Sequence, residues 1–144
     1  MKNLLLLVLL FSSMVIGGCA SQPRVYQRPP VDTNWGQPPA NYETQVKAYF
    51  QGVLKDPTSP IYTFGEPARG YTNYGFKGDK SRAGTVLWTG WVVVVLVNAK
   101  NSYGAYTGNQ RYFAMFNTNQ SIKEIRPEVR DLGNIRIPHG VRFY

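Results

Sequence analysis

Few side chains in this sequence could do covalent chemistry. Among 144 residues there is one cysteine, Cys19, and one histidine, His139. Cys19 is the sole thiol, and without a second cysteine it closes no intramolecular disulfide. A lone imidazole leaves paired-histidine metal sites and histidine-based triads without their other parts. The acidic residues number eight, and the pair best placed for glycoside hydrolysis is Glu66 with Asp79, both inside a Gly-rich stretch. Eight carboxylates on one surface would offer some pair by chance. The phosphate-cradling and nucleophile-elbow patterns G-x-x-x-x-G-K-[ST], G-x-G-x-x-G and G-x-S-x-G are missing from the chain. The expectation is a protein that is not an enzyme, with no catalytic residue, no metal and no dissociable cofactor.

The densest polar cluster is 98–108, Asn-Ala-Lys-Asn-Ser-Tyr-Gly-Ala-Tyr-Thr-Gly. Asn98, Asn101, Ser102, Tyr103 and Tyr106 bring hydrogen-bonding groups and Lys100 a charge, while Gly104 and Gly108 permit positive φ and close approach. Such a loop suits a polar ligand, a sugar or a peptide, and those six residues are the candidate ligand-binding set. The same side chains equally suit a structural loop that satisfies its own backbone. Basic residues also interleave with aromatics at Tyr71, Tyr74, Phe76, Lys77, Lys80 and Arg82, and again at Arg111, Tyr112 and Phe113. Single-stranded nucleic acid is held by such a composition, but the export signal described next argues against that partner.

Met1, Lys2 and Asn3 form a short charged start, 4–11 is an unbroken apolar run, and small residues follow up to Cys19. That order is a secretory signal, too short for a spanning helix, which needs about 20 apolar residues. Its end, Ile16-Gly17-Gly18-Cys19, resembles the bacterial lipobox. The resemblance implies that the Cys19 thiolate accepts a diacylglyceryl group as a thioether, that 1–18 is cleaved away, and that the new amine is acylated. Two or three chains on one residue meet the physical requirement for stable anchoring, which a single chain does not. Residue 20 is Ala rather than Asp. By resemblance to the Gram-negative sorting pattern this implies the outer membrane, or the inner or cell membrane where that sorting does not operate.

Leu54-Lys-Asp-Pro-Thr-Ser59, Gly90-Trp91 and the 97–108 block together resemble a family of small, uncharacterised bacterial envelope proteins and lipoproteins. In that family a Lys-Asp-Pro-x-Ser turn precedes a Val-Asn-Ala-Lys-Asn-Ser-x-Gly-x-Tyr-Thr-Gly block. The resemblance spans roughly 54–116 and implies a shared fold and location, with no established activity to carry over.

These residues need elements to position them. Pro23, Pro29, Pro30, Pro38 and Pro39 deny the backbone donors and fix φ, so 19–40 is expected to be an extended, solvated tether. At about 3.1 Å per residue it would reach roughly 60 Å. Arg24 and Arg28 lie close enough to the lipid to touch headgroup phosphates. From Asn41, an expected N-cap, Val46, Tyr49, Phe50, Val53 and Leu54 fall on one face of a helix over 42–55, ended by Asp56-Pro57. Strands are expected at 61–64, 85–98, 110–117, 121–126 and near 141–144, with a Gly-rich connection over 65–84. The 85–98 run is apolar on both parities, so the helix can cover only one of its faces. A curled sheet, the C-terminal segment, other loops of the chain or a partner must cover the second. Gly90 reads as a bulge or bend.

The expected fold is α+β over 41–144: one N-terminal amphipathic helix packed on a small curled antiparallel sheet, preceded by the tether. Net charge is +8, falling to +7 when Lys2 leaves with the signal. A basic excess favours anionic partners. The expected function is a membrane-anchored, non-catalytic binding or assembly component of the envelope, contacting another envelope protein or an anionic polymer. An envelope hydrolase acting on cell-wall glycan is the alternative.

Overall fold

The computed structural model describes residues 25–75, 80–131, 134–136 and 140–144. In chain order it runs α1 (Tyr42–Val53), β1 (Ile61–Phe64), β2 (Ala68–Asn73), β3 (Val86–Asn98), β4 (Gln110–Phe116), β5 (Ile122–Pro127), β6 (Val129–Asp131), β7 (Asn134–Arg136) and β8 (Arg142–Phe143). The thirteen-residue β3 organises the rest. Antiparallel strands assemble on it in the order β5-β4-β3-β2-β8, and β1 pairs with the end of β3 that β2 leaves free, Val95 to Asn98. β6 and β7 form a separate two-stranded ribbon. Among the described residues no helix is long and apolar enough to cross a membrane.

This overturns the expected α+β class: the protein is mainly β. A six-stranded antiparallel sheet dominates, and the helix described is twelve residues long. The expectation failed because 65–84 reads as a Gly-rich connection, yet Ala68–Asn73 inside it is a strand with Tyr71, Thr72 and Asn73 buried. Its glycine has a packing reason: a β-carbon at Gly70 would run into the Val92 side chain on the neighbouring strand. The ribbon of β6 and β7 was also unforeseen.

The two apolar parities of β3 are both used, because successive side chains in a strand point to opposite faces. On one face Val93, Val95 and Val97 join Ala114, Phe116 and Ile125 beneath Val46 and Phe50 of α1. The other collects Trp88, Val92, Phe113 and Met115, closed by Val141 from the C-terminal segment. The chain's own C-terminal residues therefore supply part of the second cover.

Part of the segment expected to be a solvated tether is held to the domain, although most of 25–34 is exposed. Trp35 is buried against Tyr144 (ring centroids 4.9 Å), Pro29 and Pro39 are buried, and the Trp91 indole Nε1–H donates to the Trp35 carbonyl at 2.9 Å. Prolines suit this role as well as the extended one, since a residue without an N–H buries no unsatisfied donor. Two local expectations also change. Asn41 makes no side-chain cap; its Oδ1 accepts instead from Gln45 Nε2 at 2.7 Å. Gly90 pairs in regular register with Gly70, and the irregularity lies between Trp88 and Val86, where Leu87 is the extra residue and stands half exposed.

Candidate functional site

β3 and β4 are adjacent antiparallel strands, so the chain between them turns back within 99–109. The loop is pinned by its own side chains. Asn98 Oδ1 accepts the Gly108 N–H at 3.0 Å, and Asn101 Oδ1 accepts the Tyr103 and Ala105 N–H groups at 2.9 and 3.1 Å. Thr107 donates its hydroxyl to Ala99 O at 3.2 Å, and Lys100 pairs with Tyr106 in an isolated bridge. Gly104 and Gly108 take φ of 80° and 84°, the left-handed region that a β-branched residue would not tolerate.

The turn after α1 docks on this loop. The Tyr106 hydroxyl donates to Ser59 O at 3.2 Å, and Lys55 Nζ donates to Ser102 Oγ at 3.2 Å. Asp56 Oδ1 accepts from both the amide and the hydroxyl of Thr58, at 3.1 and 2.7 Å. Those hydrogen bonds, the Thr58 hydroxyl foremost, hold the Asp56 carboxyl below its ordinary range, with Lys100 adding to the effect. The 54–59 turn and the 98–108 loop thus meet in space, around a cleft of about 240 Å³ lined by Val53, Lys55, Ala99, Lys100 and Thr107. Lys100 Nζ also lies 5.4 Å from the Tyr106 ring centroid.

The structure brings all six candidate residues together but gives them unequal roles. Asn98 and Asn101 are spent on the loop's backbone, and Ser102 and Tyr106 on the neighbouring turn. Tyr103 differs: its side chain projects from the tip at 95 % exposure. Cys19, Asp79 and His139 lie outside the described residues. Glu66 is exposed and lines a cleft of about 540 Å³ with Glu43, Lys47 and Tyr42. Burial chiefly, then the Glu66 and Glu43 charges, raise the Tyr42 hydroxyl above its ordinary range. Of the interleaved aromatics, Tyr71 and Phe113 are buried in the core and Tyr112 packs edge-on against Phe50 at 4.9 Å, so their faces are not offered to bases. No group of three metal-ligating side chains occurs among the described residues.

Sequence reasoning missed one cavity, of about 460 Å³, on the sheet face opposite α1. Val94, Leu96, Phe113 and Phe143 line it, and an Arg111–Glu128 ion pair of 2.9 Å stands at its border with the Glu128 side chain 3 % exposed. The second apolar parity of β3 was the signal that could have located it.

No family model, curated protein or solved structure matches the chain.

Proposed function

We propose that this chain is a membrane-anchored bacterial lipoprotein that serves the cell envelope as a non-catalytic binding or assembly component. Its 98–108 loop contacts another envelope protein or an anionic envelope polymer. The anchor rests on the 16–19 motif and the signal before it, with Cys19 carrying diacylglyceryl and N-acyl lipid. The binding half is carried by one observation: Tyr103 stands 95 % exposed on a loop whose backbone is tied down by Asn98, Asn101 and Thr107. A loop already ordered loses little further entropy on association, and tyrosine presents a large, rigid, amphipathic contact. Lys55 and Lys100 beside it supply the charge that an acidic partner would meet.

In-cell crosslinking of the tagged mature protein, with the captured species identified, tests this reading. Replacing Tyr103 by Ala should lower the partner recovered by about thirty-fold, the effect of an interface residue worth about 2 kcal/mol. Because the side chain is almost wholly solvated, the melting temperature should not move. Full recovery from the Tyr103→Ala protein would rule the loop out. In a second arm, Cys19→Ser should abolish palmitate labelling and leave the protein only loosely held, so that salt extracts it from the membrane fraction; labelling that persists would dismiss the anchor.

A further inference from the structure

The described chain begins at Val25, six residues after Cys19, a separation that spans about 20 Å even when fully extended. From Val25 onward the backbone is held to the domain. The Gln27 N–H donates to Gly84 O at 2.8 Å, and Asn73 Nδ2 donates to Gln27 O and Gly84 O at 2.8 and 2.9 Å. These bonds fix 25–28 beside the 80–85 turn, which is itself tied to Tyr74 through Gly84 and Thr85. On the reading of Cys19 as the lipid-bearing residue, the domain therefore sits within a short reach of the bilayer, with this edge facing it.

The edge has the chemistry of a surface that meets anionic headgroups. The described segments 25–31, 73–75, 80–85 and 140–144 contain Arg28, Lys80, Arg82 and Arg142 and no Asp or Glu, and the exposed Asp32 that follows the first of them is the one described acid to set against these four cations. None of the four forms an ion pair with a described residue, whereas Lys47, Arg111 and Arg126 elsewhere on the domain each face a glutamate within 3.1 Å. Arg82 and Arg142 are instead laid over aromatic rings, 3.9 Å from the Tyr74 centroid and 4.1 Å from that of Tyr26. Apolar groups stand among the charges: Val25 is 69 % exposed and Tyr26 40 %. Basic side chains around a tyrosine and an aliphatic residue are the composition of the membrane–water interface. Such charges act only within a Debye length of about 8 Å, so a domain held far from the lipid would gain nothing from them.

We infer that Val25, Tyr26, Arg28, Lys80, Arg82 and Arg142 form the face on which the domain lies against an anionic phospholipid bilayer. The inference rests on the anchor reading for its geometry but is tested apart from it. The mature chain carrying Cys19→Ser, and so without lipid, is sedimented with phosphatidylcholine vesicles lacking or containing about a quarter phosphatidylglycerol, where each basic group at the surface contributes about 1 kcal/mol. Binding is expected to the anionic vesicles alone and to be lost at high salt. An Arg28→Ser, Arg82→Ser variant should bind about thirty-fold more weakly, two charges' share of that attraction. Arg28→Ser with Lys80→Ser, which disturbs no ring contact, should match it, and Lys47→Ser with Lys123→Ser should leave binding unchanged. Equal partition into both vesicle types, no partition into either, or undiminished binding by both edge variants would overturn the inference. Palmitate on Cys19 without vesicle preference removes this face and leaves the anchor; vesicle preference without palmitate does the reverse.

Discussion

At position 90 a side chain has nowhere to go. A β-carbon there would strike the carbonyl oxygen of Phe116 on β4 and the indole of Trp88 two residues away on the same face. The glycine lets the Trp88 ring lie along the strand, where its Nε1–H donates to Asn117 Oδ1 at 3.2 Å. Gly90→Ala should therefore cost about 1–3 kcal/mol, the range for overpacking a filled core, read from urea unfolding. A wild-type midpoint would show that Trp88 moves aside freely. The loop asparagines carry a related lesson at the same scale. Asn98 and Asn101 look like ligand groups in a sequence, but their amide oxygens are turned onto backbone N–H groups of their own loop. What those oxygens contribute is the shape of the loop.

Between elements, the contest is over who covers β3. The helix reaches the end of one face, over Val93, Val95 and Val97, through Val46 and Phe50. Residues around Trp35 lie nearer the other end: the Trp35 carbonyl accepts from Trp91, and its ring meets Tyr144 and the Arg69 guanidinium. A Pro-rich stretch expected to be solvated is thus a covering strap over the sheet. Trp35→Ala should lower unfolding free energy by about 3 kcal/mol, as for other large-to-small changes of buried aromatics. It should also expose 25–40 to protease while the sheet remains folded. Unchanged stability and unchanged resistance would mean that the strap contributes nothing to the fold. The helix, the long central strand, β1, β4, β5 and the last strand were all legible from period and β-branching. β2 was not, because Gly70 and the glycines around it mimic a loop, and the reason for Gly70 is the Val92 side chain brought alongside by pairing.

Across the whole molecule, charge is distributed unevenly and its pH response has a definite sign. The Thr58 hydroxyl on Asp56 and the Arg126 guanidinium on Glu124 hold both carboxyls below their ordinary ranges. A carboxyl whose folded pKa is lowered contributes stability that is complete above its unfolded value, about 4, and is lost as pH falls through the folded value. Stability should be level near neutrality with respect to these two groups and decline below about pH 5. An Asp56→Asn, Glu124→Gln protein should lose less on acidification, as followed by melting temperature against pH. Both groups touch solvent, so the difference should be modest and shrink with salt. An identical acid limb in the variant would remove these residues from the account.

The amino-acid sequence alone determined what depends on neighbours along the chain. The charged and apolar order before Cys19, the 3.6-residue stripe of the helix, the β-branched run of the central strand and the solitary cysteine and histidine are all local facts. Tertiary structure decided what depends on distant residues meeting. It made a Gly-rich stretch a strand, laid a Pro-rich segment on the sheet, and brought the 55–59 turn onto the 98–108 loop. It also gathered Arg28, Lys80, Arg82 and Arg142, none of them in an ion pair with a described residue, at the edge where 25–28 meets the 80–85 turn. Burial and pairing are properties of contacts between segments, and a glycine or proline has no side chain that announces which contact it will serve.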